Sequence, residues 1–499
     1  MKTDILIIGG GVIGASIAHQ LSKYNLSIVL VDKESDICMG ASKANSSMIH
    51  DGYNVDANML KGNLVLKAHP LFEELCSDLH VQYKKNAASI VVGFADEDMK
   101  ILKEQLENGI KNGINGLKII GHSELLALEP YINPDVKFGL LNPNTGLINP
   151  FELTIALAEN AVINGTQVLL NTEAQNIIVK DQKVEAVKTN QGIIEAKVVI
   201  NAAGLYADKI ASMVEDIDFE IRPRKGQYFL YDKKWGHIVK HAIYSAPTKL
   251  SKGMIILPTT EGNILGGSNA QVIDDKENLS TTYEGFEEIY RQTISRIFPD
   301  LPRTGDVIAA FSGLRAAATS EDFIIGYAKT VKGFINVAGI QSPGLSSSPA
   351  IASMVEDLVK ELNYNLNFTE KKNYRKDRSK PVVLRNISFE ERNKLINKNP
   401  NYGTIICRCE TVSKGEIIDA IHRPIPAVNM DAIKRRTRAG MGRCQGGFCG
   451  PRVLDILKNE LNVSPLAITK KGKGSYILAA KSKELISTQG RKDNEKINL

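Results

Sequence analysis

Two groups of residues in this chain have types and spacings that a globular surface does not need. The first is a set of four thiols. Cys407-Arg408-Cys409 is a C-x-C pair, and after 34 intervening residues Cys444-Gln445-Gly446-Gly447-Phe448-Cys449 is a C-x4-C pair. The other two cysteines, Cys38 and Cys76, stand apart in the first hundred residues and read as ordinary thiols. No secretory context is present, so clustered thiols read better as metal or redox ligands than as a disulfide framework. Four thiolates suffice for one 2Fe-2S cluster. Zinc is the rival, though its structural pairs usually enclose two to four residues in both halves, which makes C-x-C awkward. A set of thiols holding no metal is the third possibility.

The second group is Gly9, Gly11 and Gly14, a GxGxxG run between the apolar stretch Ile5–Ile8 and a helical pattern from Val12 to Tyr24. The first glycine permits a tight turn, the second lets a pyrophosphate approach the main chain, and the third lets helix and strand pack closely. The helix N-terminus offers unpaired N–H groups and a favourable dipole to phosphate. Asp32 follows the next apolar run, Ser27–Val31, 18 positions after Gly14, where a carboxylate can accept from ribose hydroxyls. This set predicts a dinucleotide site.

The elements that must hold these residues follow from periodicity. The opening reads strand, turn, helix, strand, a βαβ unit that starts a parallel sheet. A later strand, Val198–Ile200, runs into Asn201-Ala202-Ala203-Gly204, and a helix is predicted from Pro150 to Asn164 with Asn149 as its cap. Alternating patterns at Gln227–Leu230 and Met254–Leu257 suggest a mainly antiparallel second domain interleaved with the first. From about Leu362 to Asn401 the chain turns polar and charged, as a linker or wrapping arm would. Around the cysteines, Ser413 and Glu416 form a capping box ahead of Ile417. A second helix spans Ala432 to Arg438, and Pro451 opens a third directly after Cys449, whose thiolate would sit at a positive helix end. Arg408, Lys434, Arg435, Arg436, Arg438 and Arg443 make this stretch basic. Nearby cations favour electron uptake by a dianionic cluster, although a solvated helix face accounts for many such residues equally well.

At 499 residues the chain is too long for one core, and 43% hydrophobic with 24% charged residues fits folded domains. A net charge of +6 at this length suits anionic small substrates and does not indicate a nucleic-acid binder. No apolar run reaches the ~18 residues needed to cross a bilayer, and the first residues read as a strand and turn rather than a signal peptide. A cytoplasmic protein with at most peripheral membrane association is expected.

Gly40-Ala41-Ser42-Lys43-Ala44-Asn45-Ser46-Ser47-Met48-Ile49-His50-Asp51-Gly52 resembles the flavin-contacting segment of the D-amino-acid-oxidase-like FAD family, within it most of all the glycerol-3-phosphate dehydrogenases and oxidases. Asn201–Gly204, Pro223–Tyr228, Phe311-Ser312-Gly313-Leu314-Arg315 and Gly339–Ala350 match that family in order, so the resemblance covers roughly the first 360 residues. It implies an α/β fold in which a Rossmann-like FAD-binding domain is interleaved with a mainly antiparallel β substrate domain. The FAD-binding parts would be about 1–71, 146–215 and 320–362, and the substrate parts about 72–145 and 216–319. Gly9, Gly11, Ile13, Gly14, Asp32, Ala41, Ser42, Ala174, Gly204, Gly339, Gly344 and Leu345 would surround FAD.

Oxidising a secondary alcohol needs a base for the hydroxyl proton and an acceptor for the hydride, and a flavin is such an acceptor. The resemblance makes His50 the base and Arg315 the arginine that holds the substrate's phosphate, with Lys252 a second basic contact and Ser46 and Ser342 hydroxyl contacts. It implies hydride transfer from sn-glycerol 3-phosphate to flavin N5, giving dihydroxyacetone phosphate. One branch of the family has an arginine soon after the base; here Asp51-Gly52-Tyr53 follow, which brings the site nearer the oxidase-like branch. A guanidinium fork grips a carboxylate as well as a phosphate, so a 2-hydroxy acid such as 2-hydroxyglutarate, or an amino acid such as proline, is the alternative substrate.

The segment with Thr437-Arg438-Ala439-Gly440-Met441-Gly442-Arg443-Cys444 resembles the bacterioferritin-associated-ferredoxin-like module of anaerobic glycerol-3-phosphate dehydrogenases. It implies a small helical 2Fe-2S domain at 401–465, after a linker at 363–400 and before a tail at 466–499, with Cys407, Cys409, Cys444 and Cys449 as iron ligands. Electrons would leave through this cluster to a second redox subunit or carrier; a docking or iron-sensing role for the module is the alternative.

Overall fold

The computed structural model describes residues 1–246 and 253–483. The expected Lys252 contact and the expected frayed end beyond about Leu485 lie outside them. The chain divides into two compact units, Met1–Lys380 and Pro381–Leu499.

The first unit holds two large sheets. In the first, the strand Lys2–Ile8 is central, and its Ile5, Leu6 and Ile7 are wholly buried. It runs parallel to Ile28–Val31 on one side and to Gly192–Asn201 on the other, with Gln167–Leu169 and Phe334–Ala338 extending the parallel part. Both faces are covered, which is why these strands read as unbroken apolar runs. Helix Val12–Leu21 packs against Pro150–Ile163 and Gly344–Glu361. Asn149 Oδ1 caps the second of these by accepting from the N–H groups of Phe151 and Glu152, both at 3.1 Å. Leu153, Ile155 and Leu157 along it are at most 1% exposed, and each contributes about 1.5–3 kcal/mol by leaving water.

The first helix ends at Leu21, three residues before its apolar pattern does. Lys23 and Tyr24 turn instead to the buried carboxylate of Glu356, Lys23 Nζ at 3.1 Å. Burial alone would raise the Glu356 pKa, but Lys360, Tyr24, Gln20 and Lys23 together hold it down to about 2.

The second sheet has nine strands, drawn from residues 89–142 and 221–318. All its pairings are antiparallel except Ala242–Ser245 with Ser89–Gly93. Its longest pairing joins Ile221–Tyr231 to Val307–Ala318. The chain thus passes from the first sheet to the second and back more than once, so loops between strands of different sheets meet in space.

The polar stretch that reads as a linker or arm is divided between the units. Up to Lys380 it lies on the first unit: Asn25 N–H reaches Thr369 O at 2.9 Å, and Arg375 N–H reaches Asn164 Oδ1 at 2.9 Å. Arg378 is 1% exposed and ion-paired with Glu159 at 2.7 Å. In the second unit, helix Phe389–Lys398 opens with a Ser388–Glu391 capping box.

Three further helices, Lys414–Ile421, Met430–Thr437 and Gly450–Leu461, bury Ile417, Ile433 and Leu457 in a small core. The expected Ser413–Glu416 capping box is present. No helix among the described residues is long and apolar enough to cross a membrane.

Candidate active site and cysteine module

The glycine turn has the close packing its spacing demands. Gly9 sits at φ +115°, and a Cβ there would meet Ala202 O at 2.3 Å; one on Gly14 would meet Gly9 O at 1.9 Å. Gly11 differs, because the nearest atom to a Cβ there is Ser42 Oγ at 3.2 Å. The turn is therefore closed on its protein side and open above Gly11 and Ile13, where first-turn N–H groups have no intrahelical acceptor. That shape accommodates a pyrophosphate.

Asp32 closes the turn from below. Its Oδ2 accepts the Gly10 N–H at 2.6 Å and its Oδ1 the Glu34 N–H at 2.8 Å, while burial pushes its pKa up. Each oxygen keeps a lone pair for a ribose hydroxyl. Ala174 begins the strand Ala174–Lys180, two residues after Thr172, whose N–H bonds Asp32 O at 2.8 Å. Gly204, at φ +57°, opens the turn that leaves the strand Gly192–Asn201. These residues fit the dinucleotide part of FAD.

Residues 41–50 form a junction. Ser42 Oγ accepts the Val12 N–H at 2.9 Å, tying the segment to the head of the first helix. Ala44 O lies so near Gly313 that a Cβ there would stand 2.0 Å away, which seats the strand Val307–Ala318 against it. Met48 and Ile49 pair with Leu147 and Gly146. The His50 N–H donates to Ser346 Oγ at 2.9 Å, joining the segment to the helix that starts at Gly344 and Leu345. Ala41 starts a short turn on the exposed side, and Ser46 is half-buried in the bend before Met48. Gly339, at φ +67°, and the exposed Ser342 precede the helix at Gly344. Ile13 lies in the helix head, and its side chain is buried.

Arg315 projects from the strand two residues beyond Gly313. Its Nη2 donates to Ser268 Oγ, and Asn269 O lies 3.4 and 3.5 Å from its two terminal nitrogens. A Cβ on Gly226 would meet Arg315 Nη2 at 2.8 Å, so only glycine leaves the guanidinium its place. Ser268, Asn269 and Gly226 orient this arginine, and nothing in their local sequence marks them for it. Gly226 falls within a segment that matches the family, yet its use depends on a cross-strand neighbour.

His50 is 17% exposed and stacks on Tyr53, with centroids 5.3 Å apart and planes 6° from parallel. Its Nδ1 accepts the Gly52 N–H at 2.8 Å. Asp51, 2% exposed, takes a hydrogen bond from Asn142 Nδ2 at 3.0 Å.

In the second unit the four thiols come together. Cys407 and Cys409 Sγ are 3.8 Å apart, Cys407 is hydrogen-bonded to Cys449, and Cys409 to Cys444. A string of thiol pairs suits two irons, each holding two thiolates. Gly442 makes the cradle possible, since a Cβ there would stand 2.4 Å from Cys409 Sγ.

The Cys449 thiol, with main-chain N–H groups of Gly440 and Glu410, holds Cys407 down to about 5; the Phe448 N–H lowers Cys444. Burial and the charge on Cys407 raise Cys409 to about 11. Cys449 does precede the helix Gly450–Leu461, yet its pKa is raised, because it donates to Cys407 and is buried. The basic residues are not one solvated face: Arg435 and Arg438 are buried, Arg438 bonds Glu410 at 2.8 Å, and Arg408 and Arg443 are exposed.

Residues 4–358 match the family FAD dependent oxidoreductase, and residues 405–459 match the BFD-like [2Fe-2S] binding domain. The chain is 46% identical to a glycerol 3-phosphate dehydrogenase of Caloramator mitchellensis, over 96% of this chain and 99% of that protein. It is 32% identical to a glycerol 3-phosphate oxidase of Mycoplasma genitalium, over 73% of this chain and 98% of that protein. Among solved structures it is similar to a dithionite-reduced, FAD-bound L-alpha-glycerophosphate oxidase from Mycoplasma pneumoniae, with a TM-score of 0.71 and 31% identity over 76% of this chain and 98% of that one.

Proposed function

The chain belongs to the FAD dependent oxidoreductase family and carries a BFD-like [2Fe-2S] binding domain; on that premise we propose that it oxidises sn-glycerol 3-phosphate to dihydroxyacetone phosphate and delivers the electrons to a partner. What supports this reading most is the junction at residues 41–50. One short segment touches the head of the phosphate-binding helix, the strand of Arg315 and the helix at Gly344. The chain as a whole is alike to a glycerol 3-phosphate dehydrogenase over nearly its full length.

FAD bound at Gly9, Gly11, Ile13, Gly14, Asp32, Ala41, Ser42, Ala174, Gly204, Gly339, Gly344 and Leu345 supplies a two-electron acceptor, and a cluster on Cys407, Cys409, Cys444 and Cys449 supplies one-electron transfer. Arg315 holds the phosphate. Three of its five N–H donors reach toward Ser268 and Asn269, which leaves two for the anionic oxygens. Ser46 and Ser342 add contacts around the glycerol chain and phosphate. His50 takes the hydroxyl proton at C2, which makes departure of the C2 hydrogen with its electron pair possible. The partner is a second redox subunit or carrier, met at the cytoplasmic face of a membrane or in the cytoplasm.

The test is an anaerobic optical titration of the purified protein. Glycerol 3-phosphate is expected to bleach the flavin absorbance. Bleaching by 2-hydroxyglutarate or proline and not by the phosphate ester would replace this substrate with an acid held by Arg315.

A further inference from the structure

We propose that Asp51 is a positioning residue that selects the His50 tautomer able to accept the substrate's proton. The proposal rests on the function argued above. It starts from a conflict in the hydrogen bonding of the ring. His50 Nδ1 accepts the Gly52 N–H at 2.8 Å. A neutral imidazole that accepts at Nδ1 carries its one proton on Nε2. In that tautomer Nε2 is a donor and has no lone pair for a hydroxyl proton. The competent tautomer carries its proton on Nδ1, and that requires an acceptor beside Nδ1.

Asp51 is such an acceptor. Its Oδ1 lies 3.8 Å from Nδ1, and closing the gap by about 1 Å makes a charge-assisted hydrogen bond. The carboxylate is held ready for this. Asn142 Nδ2 donates to Oδ1 at 3.0 Å, the Tyr53 N–H to Oδ1 at 3.2 Å, and Asn144 Nδ2 lies 3.5 Å from Oδ2. All three donors are neutral, so they orient the charge without cancelling it. The phenols of Tyr53, Tyr83 and Tyr244 also feel Asp51, but burial first and that charge second push Tyr53 up; burial and Tyr53 act on Tyr244, and burial, Cys76 and Glu73 on Tyr83, ahead of Asp51. The three stay neutral. His69 is one residue further out, bonded to Asn144 O at 3.0 Å. His50 is thus placed to become the cation beside a buried anion.

The ring has two arrangements, one accepting from Gly52 and one donating to Asp51, and only the second makes a base. In the reaction the substrate O–H bond breaks and Nε2 takes the proton. The C2–H bond breaks with its electron pair going to the FAD acceptor, and the C–O bond becomes a carbonyl. Asp51 then faces an imidazolium, which its charge stabilises.

The decisive variant is Asp51→Asn, which keeps the size and removes the charge. Anaerobic stopped-flow should show the rate constant for flavin bleaching by glycerol 3-phosphate falling on the order of 10²–10⁴-fold, as for a lost base or a wrong tautomer, with substrate affinity changed less than about threefold. Asp51→Glu should recover part of the rate. A flavin-loaded Asp51→Asn protein that bleaches within about threefold of the unaltered rate would overturn the proposal. If neither variant retains FAD, nitrogen-15 NMR of unaltered, reduced protein with excess glycerol 3-phosphate decides it. A neutral His50 with Nδ1 protonated supports the proposal, and one wholly protonated at Nε2 rejects it. Unaltered protein that glycerol 3-phosphate does not bleach would instead sink the substrate assignment.

Discussion

The two regions that carry chemistry are built in opposite ways. The cysteine module draws its four thiols from residues 407–449, on a short strand and turns packed among three short helices, two of which carry local caps. The junction at residues 41–50 is held by contacts 30 residues away at Val12 and 296 away at Ser346. A locally built site keeps its ligands wherever its own helices fold. A site built by long-range contacts exists only when both interleaved sheets are complete. The first kind can be carried from protein to protein as a unit, whereas the second belongs to its domain.

The strongest way to break this comparison is to remove one thiolate. Cys444→Ser should abolish the iron–sulfur absorbance and the paramagnetic signal of the reduced cluster, and electron delivery to a one-electron acceptor should drop to background. Flavin bleaching by glycerol 3-phosphate should survive, because nothing in the junction depends on that thiol. Loss of bleaching would mean that the two regions are not independent. Retained delivery without a cluster would make the module a docking or iron-sensing element.

The same contrast governs what is legible in the sequence. Gly14 and the Asn149 and Ser413 caps have their partners within a turn or two, and Gly9, Gly11 and the two cysteine pairs are readable by spacing alone, although what they meet (Ala202, Ser42 and the opposite pair) is distant in sequence. Arg315 is reached through a family resemblance, but its orientation is supplied by Gly226, Ser268 and Asn269 across two strands. Asp51 is notable in the sequence only for standing where one branch of the family has an arginine nearby. Its burial and its hold by Asn142, 91 residues away, leave no trace in periodicity. Arg378 shows the reverse error, for a run of lysines and arginines suggests solvent, yet this one is 1% exposed.

Arg378 supplies the next test. Its guanidinium meets Glu159 at 2.7 Å and Leu79 O at 2.6 Å, so the polar arm is part of the first unit at this point. Arg378→Ala takes the cation from beside a buried carboxylate, which costs about 3–5 kcal/mol. Calorimetry should show the first unit's transition lowered, with the second unit's unchanged. An unaltered first transition would return residues 363–380 to the status of a tether.

The smallest effect gives the sharpest comparison, because the same change can be made in both regions. Ser413 Oγ donates to Glu416 Oε2 at 2.8 Å and accepts the Glu416 N–H at 3.3 Å; Glu416 also takes the Leu384 N–H at 3.0 Å. Asn149 caps its helix through two N–H groups. Removing either cap with alanine costs about 1–2 kcal/mol. The shift in melting temperature depends on the size of the unit that unfolds. For a unit of about 100 residues each kcal/mol is worth roughly 4–8 °C, and for a larger one about 2–4 °C or less. Ser413→Ala should therefore lower the second unit's transition clearly, while Asn149→Ala barely moves the first. Equal shifts in one shared transition would mean that the two units unfold together, and the independence assigned to the cysteine module would be lost.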